Sequence, residues 1–196
     1  FIYYFLISAI MQPNNKPRNQ MATKATIYKA LLNIANMDTN YYNEHNLTLA
    51  LHPSETELRL MARLVAFILN ANEDLVFCKG IDQDDEPDLW EKALDGDIEL
   101  WIDLGQPDEK RIKKACGRSK KVIIYTYQEN MATPWFAQIE GILSRFKNLS
   151  IVHLNLDEEI IELAKRGMNL QCNISDSELT LIEKDTSTTI TQRVCK

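Results

Sequence analysis

The chain has 196 residues, with 22 Lys and Arg against 28 Asp and Glu, for a formal net charge of −6. That balance excludes a protein that coats nucleic acid by bulk attraction, which needs many phosphate-neutralising cations, so any contact with nucleic acid must be local. The length suits one domain around one sizeable core.

Residues 1–10 are apolar but too few to span a bilayer, and they lack the basic region and small-residue cleavage site of a signal peptide. No membrane contact is expected. The polar run at 12–20 reads as a disordered linker. With Met11 and Met21 as candidate starts, residues 1–20 are expected to be a disordered or non-native extension, and 21–196 a single folded domain. Cys78, Cys116, Cys172 and Cys195 show no C-x-x-C spacing, which points to reduced thiols and a cytoplasmic location. His45, His52 and His153 are scattered, which argues against structural zinc.

Strand-like patterns at 24–37 and 46–51 predict an N-terminal hairpin. Ser54 can cap a helix with Glu57 as its capping-box partner, and Leu58, Met61, Leu64, Val65, Ile68 and Leu69 follow at helical spacing up to about Asn72. A strand at 75–79 and an acidic segment at 82–88 come next. Residues 97–104 then alternate strictly: Ile98, Leu100, Ile102 and Leu104 take one side, and Asp97, Glu99, Trp101 and Asp103 the other. A basic helix starts at Asp108, with seven cations from Lys110 to Lys121 and no acid after Glu109. A hydrophobic strand at 122–127 is expected in the sheet centre. Thr133 should cap a helix with Pro134 at its first position and Trp135, Phe136, Ile139, Ile142 and Leu143 inward. A strand at 149–154, a short helix at 157–166 and a terminal hairpin from 168–174 and 179–183 complete the mixed α/β order.

If Asp95-Gly96 is a two-residue hairpin turn, Leu94 faces Asp97 and Asp88 faces Asp103. Opposed residues have Cβ atoms roughly 4.5–5.5 Å apart, close enough for two carboxylates to share a divalent cation. Glu99 lies about 13 Å from Asp103 along its own strand, so the partner segment must supply the second acid. Residues 85–94 also read as a short helix with an acidic first turn, Pro87 near its start and Gly96 after its end. In that reading Asp85 or Glu86 supplies the second carboxylate.

Four separated motifs, Lys-Ala-Thr-Ile-Tyr-Lys-Ala at 24–30, His-Pro-Ser-Glu-Thr at 52–56, Asp-Glu-Pro-Asp-Leu-Trp at 85–90 and Leu-Trp-Ile-Asp-Leu-Gly-Gln-Pro-Asp-Glu-Lys-Arg-Ile-Lys-Lys-Ala at 100–115, resemble the bacterial YaeQ family. That family is placed in the PD-(D/E)xK nuclease-like superfamily. The resemblance implies a restriction-endonuclease-like αβββαβ core with additional N-terminal and C-terminal β-hairpins, and metal-dependent nuclease or phosphodiesterase chemistry. Asp103 then takes the acidic position of the (D/E)xK triplet, and Gly105 stands where its lysine should be. Gln106, Lys113 or Lys114 is expected to substitute for it. Magnesium, with manganese as its replacement, would sit on Asp103 with Asp88 or Glu86, and Glu55 resembles the additional acid on the first helix. Lys110, Arg111, Lys113, Lys114, Arg118 and Arg59 are the candidate nucleic-acid contacts. The competing expectation, motivated by Gly105, is a catalytically degenerate module that binds nucleic acid or a protein partner.

Overall fold

The computed structural model describes residues 24–78 and 85–196; the 1–20 extension and the acids at 82–84 lie outside them. The chain runs β1 (Thr26–Asn36), β2 (Tyr41–Leu51), α1 (Glu57–Leu69), β3 (Leu75–Phe77), β4 (Leu89–Lys92), β5 (Ile98–Leu104), α2 (Glu109–Arg118), β6 (Ser119–Thr126), α3 (Glu129–Leu143), β7 (Leu149–Asn155), a 3-10 turn (Glu158–Leu163), β8 (Gly167–Ser175), β9 (Glu178–Glu183) and β10 (Thr186–Val194). The ten strands among the described residues join one sheet in the order β2-β1-β8-β9-β10-β7-β6-β5-β4-β3.

Every residue of α1 from Leu60 to Ile68 is buried, because β1, β8 and β9 cover it on one side and β4 to β7 on the other. A helix that is apolar nearly all round can only sit inside such a wrap. A second core lies on the outer face of the sheet, where Trp101, Val122 and Ile124 meet Ile112 of α2 and Trp135 and Ile139 of α3. β5 is therefore covered on both faces. The acidic face of that stretch is buried at Trp101 and Asp103, and its outer end, Asp97 and Glu99, reaches water.

The hairpin reading of 85–104 holds and the helical one does not: Leu89 pairs with Ile102 and Trp90 with Trp101, antiparallel. The turn differs from expectation. A two-residue type I′ turn needs positive φ at both central residues, but only Gly96 has it, at +92°. Leu94, Asp95 and Gly96 instead form a three-residue loop closed by Gly96 N to Ala93 O (2.9 Å) and Ala93 N to Asp97 O (2.8 Å). Ala93, not Leu94, faces Asp97, and a one-residue shift between Glu91 and Lys92 restores the expected register beyond it.

Two helix boundaries moved and one strand was added. Thr56, not Ser54, caps α1, accepting Arg59 N at 3.2 Å. α3 starts at Glu129, a turn before the expected Thr133 cap, with Pro134 in its second turn. β10 is a strand the pattern at 168–183 did not include; its Thr-rich alternation pairs with β9 and then with β7, which joins the two halves of the sheet. The C-terminal element is thus a three-stranded unit rather than a hairpin.

Candidate functional site

Three acids from three separate elements gather where β5 ends. Glu55 precedes α1, Asp88 immediately precedes β4, and Asp103 is the penultimate residue of β5. Asp88 and Asp103 are each buried, at 5% and 2% exposure. Each acid is held by arginine. Asp103 receives Arg111 from α2 in a two-pronged contact, Nε to Oδ2 at 3.0 Å and Nη2 to Oδ1 at 2.7 Å. Trp101 Nε1 donates to the same Oδ2 at 3.0 Å. Asp88 Oδ1 accepts Arg59 Nη2 at 2.7 Å, and its Oδ2 accepts the backbone N–H of Leu104 at 2.8 Å. Glu55 accepts Arg59 Nη1 at 3.1 Å and Arg63 Nη2 at 2.9 Å, and Arg63 Nε lies 2.8 Å from its Oε1.

Arg59 and Arg63 come from α1 inside the sheet and Arg111 from α2 outside it, so Asp88 and Asp103 are drawn toward opposite faces of β5. Burial lifts the Asp103 carboxyl above its ordinary value against the pull of Arg111 and Trp101, and Asp88 adds to the rise. Burial, reinforced by Glu86 and Asp88, likewise pushes the Cys78 thiol up to about 12, which leaves it protonated and unreactive. Burial also raises the Tyr127 hydroxyl, which lies in the field of Arg59, Asp88 and Glu55.

Magnesium needs carboxylate oxygens that are free to turn toward it, and it keeps several waters. Here three guanidinium charges balance three carboxylates, and both oxygens of Asp103 and of Asp88 already accept hydrogen bonds. Among the described residues no group of three or more His, Cys, Asp or Glu is arranged to hold a metal ion. This donor set does not fit the ion as it stands.

Gly105 explains why no lysine follows Asp103. Its φ is +92°, a left-handed conformation that a side chain adopts only under strain, and its N–H donates to Tyr125 O at 2.9 Å across to β6. Gln106 is half-buried beyond it.

Helix α2 is bolted to the segment before β4. Lys114 pairs with Asp85, Arg118 Nη1 donates to Asp85 O at 3.2 Å, and Arg111 Nη2 donates to Glu86 O at 2.8 Å. Glu86 thus contributes its backbone carbonyl to these contacts. Arg118 also lies 5.8 Å from the Trp101 ring centre. Lys110 and Lys113, on the outer stripe of α2, are exposed, as are Lys120 and Lys121 at the start of β6. Arg63, Tyr127 and Cys78 carried no assigned role from the sequence. The spacing of Arg59 and Arg63 along one face of α1, with Glu55 four residues before Arg59 just ahead of the helix, is the signal that could have found Arg63.

Comparison with known proteins agrees with these motifs. The sequence profile of the family described as YaeQ protein matches residues 21–192. The uncharacterized protein YaeQ of Escherichia coli (strain K12) is 44% identical over 164 residues, covering 82% of this chain and 90% of the relative. That of Salmonella typhi is 44% identical over 163 residues with the same coverage. The crystal structure of YaeQ protein from Xanthomonas axonopodis pv. citri superposes with a TM-score of 0.84 at 42% identity, covering 88% of this chain and 98% of that one. YaeQ protein from Pseudomonas syringae gives a TM-score of 0.81 at 30% identity, covering 88% and 96%.

Proposed function

The chain belongs to the YaeQ family, and from that premise we propose that it is a nuclease-like scaffold with a silenced acidic centre, binding nucleic-acid phosphates through the outer face of α2. The order α1-β3-β4-β5-α2-β6, with β3 to β5 antiparallel and β6 parallel to β5, supports descent from the PD-(D/E)xK plan. The carrying observation is the clamp of Arg111 on Asp103, which occupies the acid that plan would give to a metal. Lys110 and Lys113 sit one turn apart on the solvent stripe of that helix and Lys121 is exposed at the start of β6, where its neighbour Lys120 is paired with Glu99, a local positive surface on an acidic protein. Contacts of this kind position a phosphate backbone without reading sequence.

Binding of single- and double-stranded DNA and RNA by the wild type, by Lys110→Glu with Lys113→Glu, and by Asp103→Asn tests this reading. Affinity should fall steeply with salt and be lost in the charge-reversed protein, while Asp103→Asn retains it, and magnesium should bring no cleavage. Binding indifferent to the lysine reversals refutes it. One observation favours a second reading as a metal-dependent phosphodiesterase: Glu55, Asp88 and Asp103 converge from three elements on one strand end. Magnesium-dependent cleavage abolished by Asp103→Asn would establish that alternative.

A further inference from the structure

A second candidate site lies away from these acids, between α3 and the strands β7 and β10. A cavity of about 360 Å³ there is walled by Trp135, Phe136, Ile151 and Val194 and closed at one end by polar groups. Its size falls within the roughly 300–1,000 Å³ range of small-molecule sites, which combine apolar walls with a few convergent polar groups.

The polar end is built around one carboxylate. Thr126 Oγ1 and His153 Nδ1 are 2.8 Å apart, and both side chains are buried. Glu129 Oε2, 3.0 Å from Nε2, can only accept, so the ring proton sits on Nε2 and Nδ1 accepts from the Thr126 hydroxyl. Arg193 Nη2 donates to the same oxygen at 2.6 Å, and Thr133 Oγ1 donates to Oε1 at 3.1 Å. Burial holds His153 below its ordinary pKa, so it serves as a neutral N–H donor. Thr126 is only 2% exposed, so it orients the histidine and is not a nucleophile.

The two sides of this contact are unequal. His153 is fixed by burial, whereas Glu129 is 57% exposed at the first position of α3, beyond an N-cap that makes no side-chain hydrogen bond. His153 is the preorganised donor, Arg193 is as exposed as Glu129 at 57% and can follow either carboxylate, and Glu129 is free to swing out. From this we infer that the cavity binds a small organic carboxylate with an apolar body, and that Glu129 is the resident stand-in which the ligand displaces. The ligand carboxylate would take the N–H of His153 and the guanidinium of Arg193, while its body packs between Trp135, Phe136 and Val194. An amine would instead place a cation against Arg193.

Phenylacetate, acetate and phenethylamine titrated into the full chain test this, read by intrinsic fluorescence, to which Trp135 contributes from the cavity wall, and by thermal shift. Phenylacetate should bind saturably, acetate far more weakly for want of the apolar body, and phenethylamine not at all. Glu129→Gln removes the internal competitor's charge and should tighten phenylacetate by about two- to fivefold, the range that an exposed ion pair commands. Arg193→Met, on the solvent-exposed side of strand β10, should weaken it by about two- to fivefold, the same range for an exposed ion pair. Saturable binding of phenethylamine, undiminished affinity in Arg193→Met, weaker binding in Glu129→Gln, or no saturable response in either wild type or Glu129→Gln overturns the inference.

Discussion

Replacing Arg111 with Leu isolates the contact on which the silenced centre depends. The substitution strips Asp103 of its two-pronged partner and leaves, among the described residues, Trp101 Nε1 as the side-chain donor to a carboxylate whose side chain is 3% exposed. Removing one partner of a buried pair costs about 3–5 kcal/mol, because the remaining charge is left uncompensated. The Arg111 side chain is 27% exposed, so water can reach the vacated position, and that places the expected loss near the lower end, at about 3 kcal/mol. At roughly 2–4 °C per kcal/mol for a chain of this length, Tm should fall by about 6–12 °C. Urea unfolding followed by tryptophan fluorescence gives the free energy directly. Adding Asp103→Asn to Arg111→Leu should recover a large part of the loss, with a coupling of about 2 kcal/mol in the double-mutant cycle. Additive effects, or an Arg111→Leu protein as stable as the wild type, would refute the clamp.

Gly105→Lys supplies the lysine that the proposed descent would call for, and should still give no magnesium-dependent nicking of plasmid DNA. It should also destabilise by about 1–3 kcal/mol in a melt, because a side chain at φ +92° is strained even though nothing lies within 4 Å of its Cβ. His153, depressed below 6.5 by burial, is neutral in the folded protein, so the unfolded chain takes up its proton first as the medium is acidified. Its contribution is complete above pH 6.5 and is lost as pH falls from there toward the folded value; stability measured against pH should show that loss in the wild type and a flatter curve in His153→Gln. Asp38 accepts the backbone N–H groups of Asp176 and Ser177, both at 2.8 Å, tying the β1–β2 turn to the β8–β9 turn. Asp38→Ala should cost about 1 kcal/mol and accelerate amide exchange at those two positions.

The strand register around the acids was legible because it follows from period-2 alternation and a glycine in the turn, signals internal to residues 85–104. Trp90 opposite Trp101 needed nothing else. The turn length was not legible, since Asp-Gly serves both two- and three-residue loops and the later shift at Glu91 cancels the difference. β10 was missed because Thr186–Val194 carries only Ile190 as a deeply buried apolar residue; its place as the seam between two halves of the sheet depends on partners far away in sequence. The acids were visible as residue types, but their occupation by arginine was not. The contact of Asp103 with Arg111 depends on how α2 folds back over β5, which no local spacing states, whereas Glu55 and Arg59 stand four residues apart and could have been paired from the outset.

Charge parity decides what this cluster can hold. Glu55, Asp88 and Asp103 alone would leave an excess negative charge that a divalent cation neutralises; with Arg59, Arg63 and Arg111 in contact the sum is zero, and a buried divalent ion would face no countercharge. The arginines differ in how readily they could leave. Arg63 is 3% exposed and also donates to Ala50 O, whereas Arg59 and Arg111 are 19% and 27% exposed and border solvent. Arg59→Leu combined with Arg111→Leu should therefore leave three carboxylates against one buried guanidinium, a net charge matched to one divalent ion. Magnesium should raise the urea midpoint of that double variant while leaving the wild type unmoved, since an ion that binds only the folded state stabilises it in proportion to the logarithm of its concentration. A wild type stabilised by magnesium to the same degree would mean that the guanidinium groups give way without mutation, and the silenced centre would then have to be read as an open one.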